Sequence, residues 1–218
     1  MLSVIIPAYK ATKYIDDCLA SIKGAEILVG VDSCQETLDH LKNRDIKLFY
    51  FTENVGPFVI KNTLIDQASN EHILFFDSDD VLVEGVIERI NERLAEIDYL
   101  KLNYINFYNK PTTKGHMMND AVIAIKRSSF NSINGFQPWR CGADTEFSYR
   151  SQYNNLKYKV LDGLAYHRRL HGENLTMRKE TGHKSPIRET YVAYINKHHK
   201  LGSWPNPLIK TTSSYVAY

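Results

Sequence analysis

Short apolar runs alternate along the chain with stretches whose apolar residues recur every three or four positions. Residues 2–7, 26–31, 47–51 and 73–76 are near-continuous apolar runs, which predicts strands buried on both faces. Between them, residues 12–23 place Ile15, Cys18, Leu19 and Ile22 on one stripe, with Thr12 as the expected N-cap and Gly24 just past the end. Residues 37–43 and 57–69 read as further helices, the second with Pro57 in its first turn. Strands alternating with helices at this spacing imply βαβ units. The predicted fold class is therefore α/β, with a mostly parallel central sheet flanked by helices. Further on, residues 84–97 are amphipathic, 99–107 alternate as one half-exposed strand does, and 109–119 are a polar loop. A strand over 121–125, a helix start at 127–130, a turn at Asn134-Gly135, a helix over 144–153, a strand over 158–161 and a helix over 186–199 complete the pattern. The tail 202–218 reads as irregular.

One junction carries chemistry. Ile73-Leu74-Phe75-Phe76 runs directly into Asp77-Ser78-Asp79-Asp80. Carboxylates at the C-terminal end of a buried strand stand where open α/β sheets bind ligands. Charges this close raise one another's pKa and call for a positive counterpart. A hard divalent cation, held by one or two carboxylates and the phosphates of a substrate, is one such counterpart. The plainer alternative is a pair of acids that offset a helix dipole.

Composition narrows the class. At 218 residues the chain fits one domain with a small C-terminal extension. No apolar run approaches the roughly 20 residues of a membrane span. The N-terminus reads as a first strand, and Cys18, Cys34 and Cys141 have no metal-type spacing. A scattered, odd set of cysteines suits a reducing compartment, so a cytoplasmic location is expected. Charge is uneven: residues 1–156 carry 16 Lys/Arg against 21 Asp/Glu, and residues 157–218 carry 11 against 4. The basic C-terminal part calls for an anionic partner, whether a diphosphate, a nucleic acid or a lipid, or else is a solvated face.

The order of signals resembles the family 2 glycosyltransferases of the GT-A fold. The residues that carry it are Ser3 to Tyr9, Glu26 to Ser33, Asn54-Val55-Gly56 with Lys61-Asn62, Phe76 to Asp80, Asn134-Gly135-Phe136, Ala143 to Phe147 and Arg169 to Thr176. The resemblance implies an inverting hexosyl- or pentosyltransferase that moves a sugar from a nucleoside-diphosphate sugar, a UDP-sugar being favoured, to an acceptor hydroxyl. It implies Mn²⁺ or Mg²⁺ as cofactor. Pro7, Tyr9, Asp32, Lys61, Asp77 and Ser78 match nucleotide-sugar positions, and an aspartate such as Asp32 can accept from a uracil-type ring N–H. Asp77 and Asp79 match the metal-binding Asp-x-Asp motif, with His171 as a further metal ligand and Asp80 behind them. Asp144 matches the catalytic base, although a helix N-cap is its structural alternative. Trp139 and Arg140 lie just before it, where an aromatic can stack on a sugar face or fill a core.

The chain departs from the family pattern at Val31-Asp32, where two acids are common, at Lys10 and at Glu146. The expected domains are a catalytic unit over 1–176 and a basic helical extension with a tail over 177–218. The acceptor carries a free hydroxyl and is of open class: saccharide, lipid or protein, with a hydroxylated base in DNA as a minority option. Two other functions compete. Haloacid-dehalogenase-like phosphatases also end an apolar strand in Asp-x-Asp, with the first acid as nucleophile, but they follow it with Gly-Thr rather than Asp80-Val81. A non-catalytic nucleotide-sugar-binding module is the other.

Overall fold

A computed structural model describes residues 1–112, 114–117 and 122–218. The main sheet is built around β1 (Leu2–Ala8), which pairs in parallel with β2 (Glu26–Asp32) and with β4 (His72–Phe75). β3 (Lys47–Phe51) extends it, parallel to β2. Beyond β4 the sheet becomes mixed. β8 (Ile123–Lys126) runs antiparallel to both β4 and β6 (Tyr99–Lys101), and β9 (Tyr158–Val160) joins β6 in parallel. Of the strand predicted over 121–125, Ala121 lies outside the described residues.

The pleat explains why apolar runs are needed here. Side chains alternate between faces along a strand. Val4 and Ile6 of β1, Val29 and Val31 of β2 and Leu74 of β4 point to one face, with Phe76 just beyond β4, where α1 (Ile15–Ser21), α2 (Gln35–Leu41) and α4 (Val86–Leu94) cover them. Ile5, Leu28, Ile73 and Phe75 point to the other, under α3 (Pro57–Leu64), α5 (Arg127–Ser132) and α6 (Ala143–Tyr153). Both faces are buried along the middle of each strand, so the strands must be largely apolar there. Gly30 in β2 is required by close approach: a Cβ there would lie 2.3 Å from Ile60 Cγ2 of α3.

Three expectations are corrected. Residues 99–107 are two strands in two sheets, and Leu102-Asn103 is the break. Asn103 explains it, because its carbonyl accepts from the Ala165 and Tyr166 amides and its side chain donates to Leu161 O. β7 (Tyr104–Phe107) then joins a small second sheet with β5 (Val81–Leu82) and β10 (Tyr166–Arg169). Tyr99, Leu100, Leu102, Tyr104, Ile105 and Phe107 are all buried, so the stretch is not half-exposed. The tail is not wholly irregular either. After α7 (Pro186–Leu201), β11 (Val216–Ala217) pairs antiparallel with β3 at the sheet edge, where Tyr215 packs on Phe49. Finally, α1 starts at Ile15 without a side-chain cap, and the Thr12 hydroxyl donates to Glu36 instead.

Candidate active site

The acids of residues 77–80 follow β4 at the C-terminal end of the parallel strands. Asp80 is 3% exposed and accepts the Arg169 amide at 2.9 Å. Burial pushes its carboxyl well above the usual carboxylate range, and Asp79 and Asp77 push it further. Asp77 and Asp79 reach the surface. The Lys61 ammonium, buried on α3, donates to Asp77 Oδ1 at 3.2 Å. Asp79 Oδ2 accepts from His171 Nε2 at 2.8 Å and from Asn174 Nδ2 at 3.0 Å. Among the described residues, each of these two carboxylates is held through one oxygen. Ser78 and Asp79 form a turn, and Ser78 and Pro7 are half-buried.

His171 Nδ1 accepts the Glu173 amide at 3.2 Å. That leaves Nε2 to donate, so the imidazole supports Asp79 and both its nitrogens are engaged. The structure thus brings His171 to the acids, on Asp79.

Asp144 sits in the first turn of α6, half-buried. Burial raises its carboxyl above the ordinary value, the Thr145 amide and Lys61 pull it down, and Asp77 pushes it up. Asp144, Lys61 and Asp77 therefore share one electrostatic neighbourhood. Asn62 fixes this arrangement. Its Nδ2 donates to Phe136 O and its Oδ1 accepts the Phe136 amide, both at 2.9 Å, which ties α3 to the segment leading into α6. Gly135 permits the approach, since a Cβ there would lie 2.6 Å from Asn62 Oδ1. Within α6, the fully buried Glu146 and Arg150 pair at 2.7 Å, and Arg150 also donates to the Ile133 and Gly135 carbonyls.

Asp32, at the end of β2, is buried. Its two oxygens accept the Val55 and Gly56 amides at 2.7 and 3.0 Å. Burial raises its carboxyl, against those amides and Arg140. The same aspartate thus holds the loop before α3. Tyr9, 36% exposed, lies just after β1. Trp139 stacks on Tyr191 of α7 at 4.4 Å, so one of its faces is already covered.

Sequence reading did not single out Asn174, and it counted Arg169 only among the basic residues of the C-terminal part that could meet an anionic partner. Arg169 is buried with its guanidinium 4.7 Å from both the Tyr14 and the Phe107 ring, donating to Asp17 and to Asp79 O. Both residues stand in the Arg169–Thr176 stretch, but their partners lie far away in sequence.

The donor chemistry suits a hard divalent cation: two surface carboxylates, each gripped through one oxygen. Among the described residues no three His, Cys, Asp or Glu side chains gather to hold a metal. A Mg²⁺-type site does not need them, because one or two carboxylates and substrate phosphates are enough. The residues present fit the group.

A family model described as glycosyl transferase family 2 matches residues 3–173, most of the chain. The chain belongs to glycosyl transferase family 2. Among relatives in this family, a GalNAc(5)-diNAcBac-PP-undecaprenol beta-1,3-glucosyltransferase of Campylobacter jejuni is 30% identical over 44% of this chain and 35% of its own length. The poly(ribitol-phosphate) beta-N-acetylglucosaminyltransferase TarS of Staphylococcus aureus is 23% identical over 76% of this chain and 35% of its own. A crystal structure of S. aureus TarS residues 1–349 with UDP-GlcNAc superposes with a TM-score of 0.64 at 20% identity, over 79% of this chain and 59% of that one. The fold is thus GT-A, as the sequence implies. The chain spans 17% to 42% of the length of the curated relatives it matches. No helix among the described residues is long and apolar enough to cross a membrane.

Proposed function

We propose that the chain is an inverting glycosyltransferase that uses a nucleoside-diphosphate sugar, with Asp144 as general base and Asp77 and Asp79 as the ligands of Mn²⁺ or Mg²⁺. The observation that carries this reading is the pair of surface carboxylates just beyond β4, Asp77 held by Lys61 at 3.2 Å and Asp79 held by His171 and Asn174 at 2.8 and 3.0 Å. When bound, the cation supplies Lewis-acid stabilisation to the departing diphosphate. Asp79 is oriented for its task by His171 and Asn174, and such outer partners sharpen a ligand's aim. Lys61 pairs with Asp77 and draws the Asp144 carboxyl down against its burial. Asp144 takes the proton of the acceptor hydroxyl onto a carboxylate oxygen as that hydroxyl oxygen bonds to the anomeric carbon. The bond from that carbon to the diphosphate breaks on the opposite face. Tyr9 and Asp32 flank the nucleoside, and the TarS complex with UDP-GlcNAc supports a UDP-sugar as donor.

Two relatives act, by name, on phosphate-bearing acceptors. That, with the basic stretch after residue 156, supports an anionic acceptor carrying a hydroxyl. Membership of the family displaces the phosphatase alternative. The test is Asp144→Asn: nucleotide binding with Mn²⁺ is retained, and transfer to acceptor or water falls by about 10²–10⁴-fold. Loss of nucleotide binding in a folded variant would remove Asp144 from the role of base.

A further inference from the structure

Residues 171–185 form a self-bonded turn system after β10. Asn174 O accepts the Met177 and Arg178 amides, Arg178 O accepts the Gly182 amide at 2.7 Å, and Thr181 Oγ1 donates to Leu175 O. Gly182 is needed there, because a Cβ would lie 2.5 Å from Arg178 O. Two anchors tie this system to the acid motif: His171 and Asn174, both on Asp79. Its far side carries Arg178, whose guanidinium lies 5.7 Å from the centre of the Tyr9 ring. Arg178 Nε donates to Glu173 O at 2.8 Å, which fixes the plane of the group. Among the described residues its two Nη groups have no hydrogen-bond partner and no carboxylate within ion-pair distance. Lys61 and Arg169 differ, since each is paired with an aspartate.

Arg178 therefore stands beside Tyr9 on a turn system anchored to Asp79, and so borders the interval between Tyr9 and Asp79. In the donor reading above, on which this inference rests, the nucleoside lies at Tyr9 and the cation at Asp79, so the diphosphate must cross that interval. We propose that Arg178 is a donor-positioning residue that grips the diphosphate bridge through its two Nη groups. A guanidinium fork suits two phosphate oxygens, and the bond is charge-assisted. It also offsets the repulsion that the acids at 77–80 exert on an incoming anion.

The probe is whichever of UDP, GDP, CDP and dTDP binds most tightly with Mn²⁺ by titration calorimetry, compared with its own monophosphate. Arg178→Ala is expected to weaken the diphosphate by about 10- to 100-fold and the monophosphate far less. Arg178→Lys should recover part of the loss. Gly182→Ala, which displaces the backbone carrying Arg178, should copy the selective loss, and Met177→Ala, at an exposed neighbour, should not. Equal weakening of both nucleotides, or unchanged diphosphate affinity in Arg178→Ala, overturns the inference while leaving the donor reading intact. Wild-type protein that binds none of the four diphosphates overturns both.

Discussion

Removing the carboxylate of Glu146 tests the fully buried charge pair of α6. Both side chains of the Glu146–Arg150 pair are fully buried. Arg150 Nε and Nη2 donate to the two Glu146 oxygens at 2.7 and 3.0 Å, and Nη1 and Nη2 donate at 2.6 Å to the Ile133 and Gly135 carbonyls. Glu146→Ala keeps the carbonyl bonds, loses the two to the carboxylate and strands a cation away from water. Each charge-assisted bond is worth about 1.5–3 kcal/mol, and breaking one side of a buried pair costs about 3–5 kcal/mol. For a chain of this size 1 kcal/mol moves the melting point by about 2–4 °C, so a fall of about 6–20 °C is expected. Circular dichroism melting reads it directly. A double change, Glu146→Leu with Arg150→Met, should recover part of the loss, because paired replacement leaves no orphan charge while the Ile133 and Gly135 carbonyls lose their donors. A fall under about 2 °C in Glu146→Ala would refute the account, and the anchor of α6 would then have to be its apolar face.

Other perturbations probe different parts of the molecule. Asp79→Ala should abolish the Mn²⁺ dependence of nucleotide binding; calorimetry showing that Mn²⁺ still strengthens binding in the variant as much as in wild type would rule out Asp79 as a ligand. Burial pushes Glu26 up, but bonds from Lys47, Ser3 and Ser69 prevail and hold it down at about 2. A depressed carboxyl stabilises the fold above its unfolded value near 4.5 and loses that contribution as pH falls towards 2; with screening by solvent this is about 1–2 kcal/mol, and urea midpoints for Glu26→Gln should be flatter over that window than for wild type. Gly30→Ala drives a methyl into Ile60 and should cost about 1–3 kcal/mol in urea denaturation; an unchanged midpoint would mean that α3 can slide on the sheet.

The parts of the fold legible in the sequence are those whose signal is local. β1 to β4 are long apolar runs because both their faces are buried, and Asp77 and Asp79 declare themselves by following such a run. β5 and β11 are two residues long, too short to show a period, and β10 reads Tyr166-His167-Arg168-Arg169, with no apolar run to mark it. The break at Leu102-Asn103 leaves no trace because buried tyrosines on both sides mimic ordinary alternation. In the site, Lys61 and Asp144 were reachable through the family pattern. Asn174 meets Asp79 from 95 positions away, and Arg178, legible only as one of several basic residues, gains a place beside the Tyr9 ring. Such pairs are products of tertiary placement, and no periodicity records them.

The reciprocal bonds between Asn62 and Phe136 bear on how the molecule meets its ligands. They make Lys61 and Asp144 passengers on a single rigid body that is finished when folding is finished.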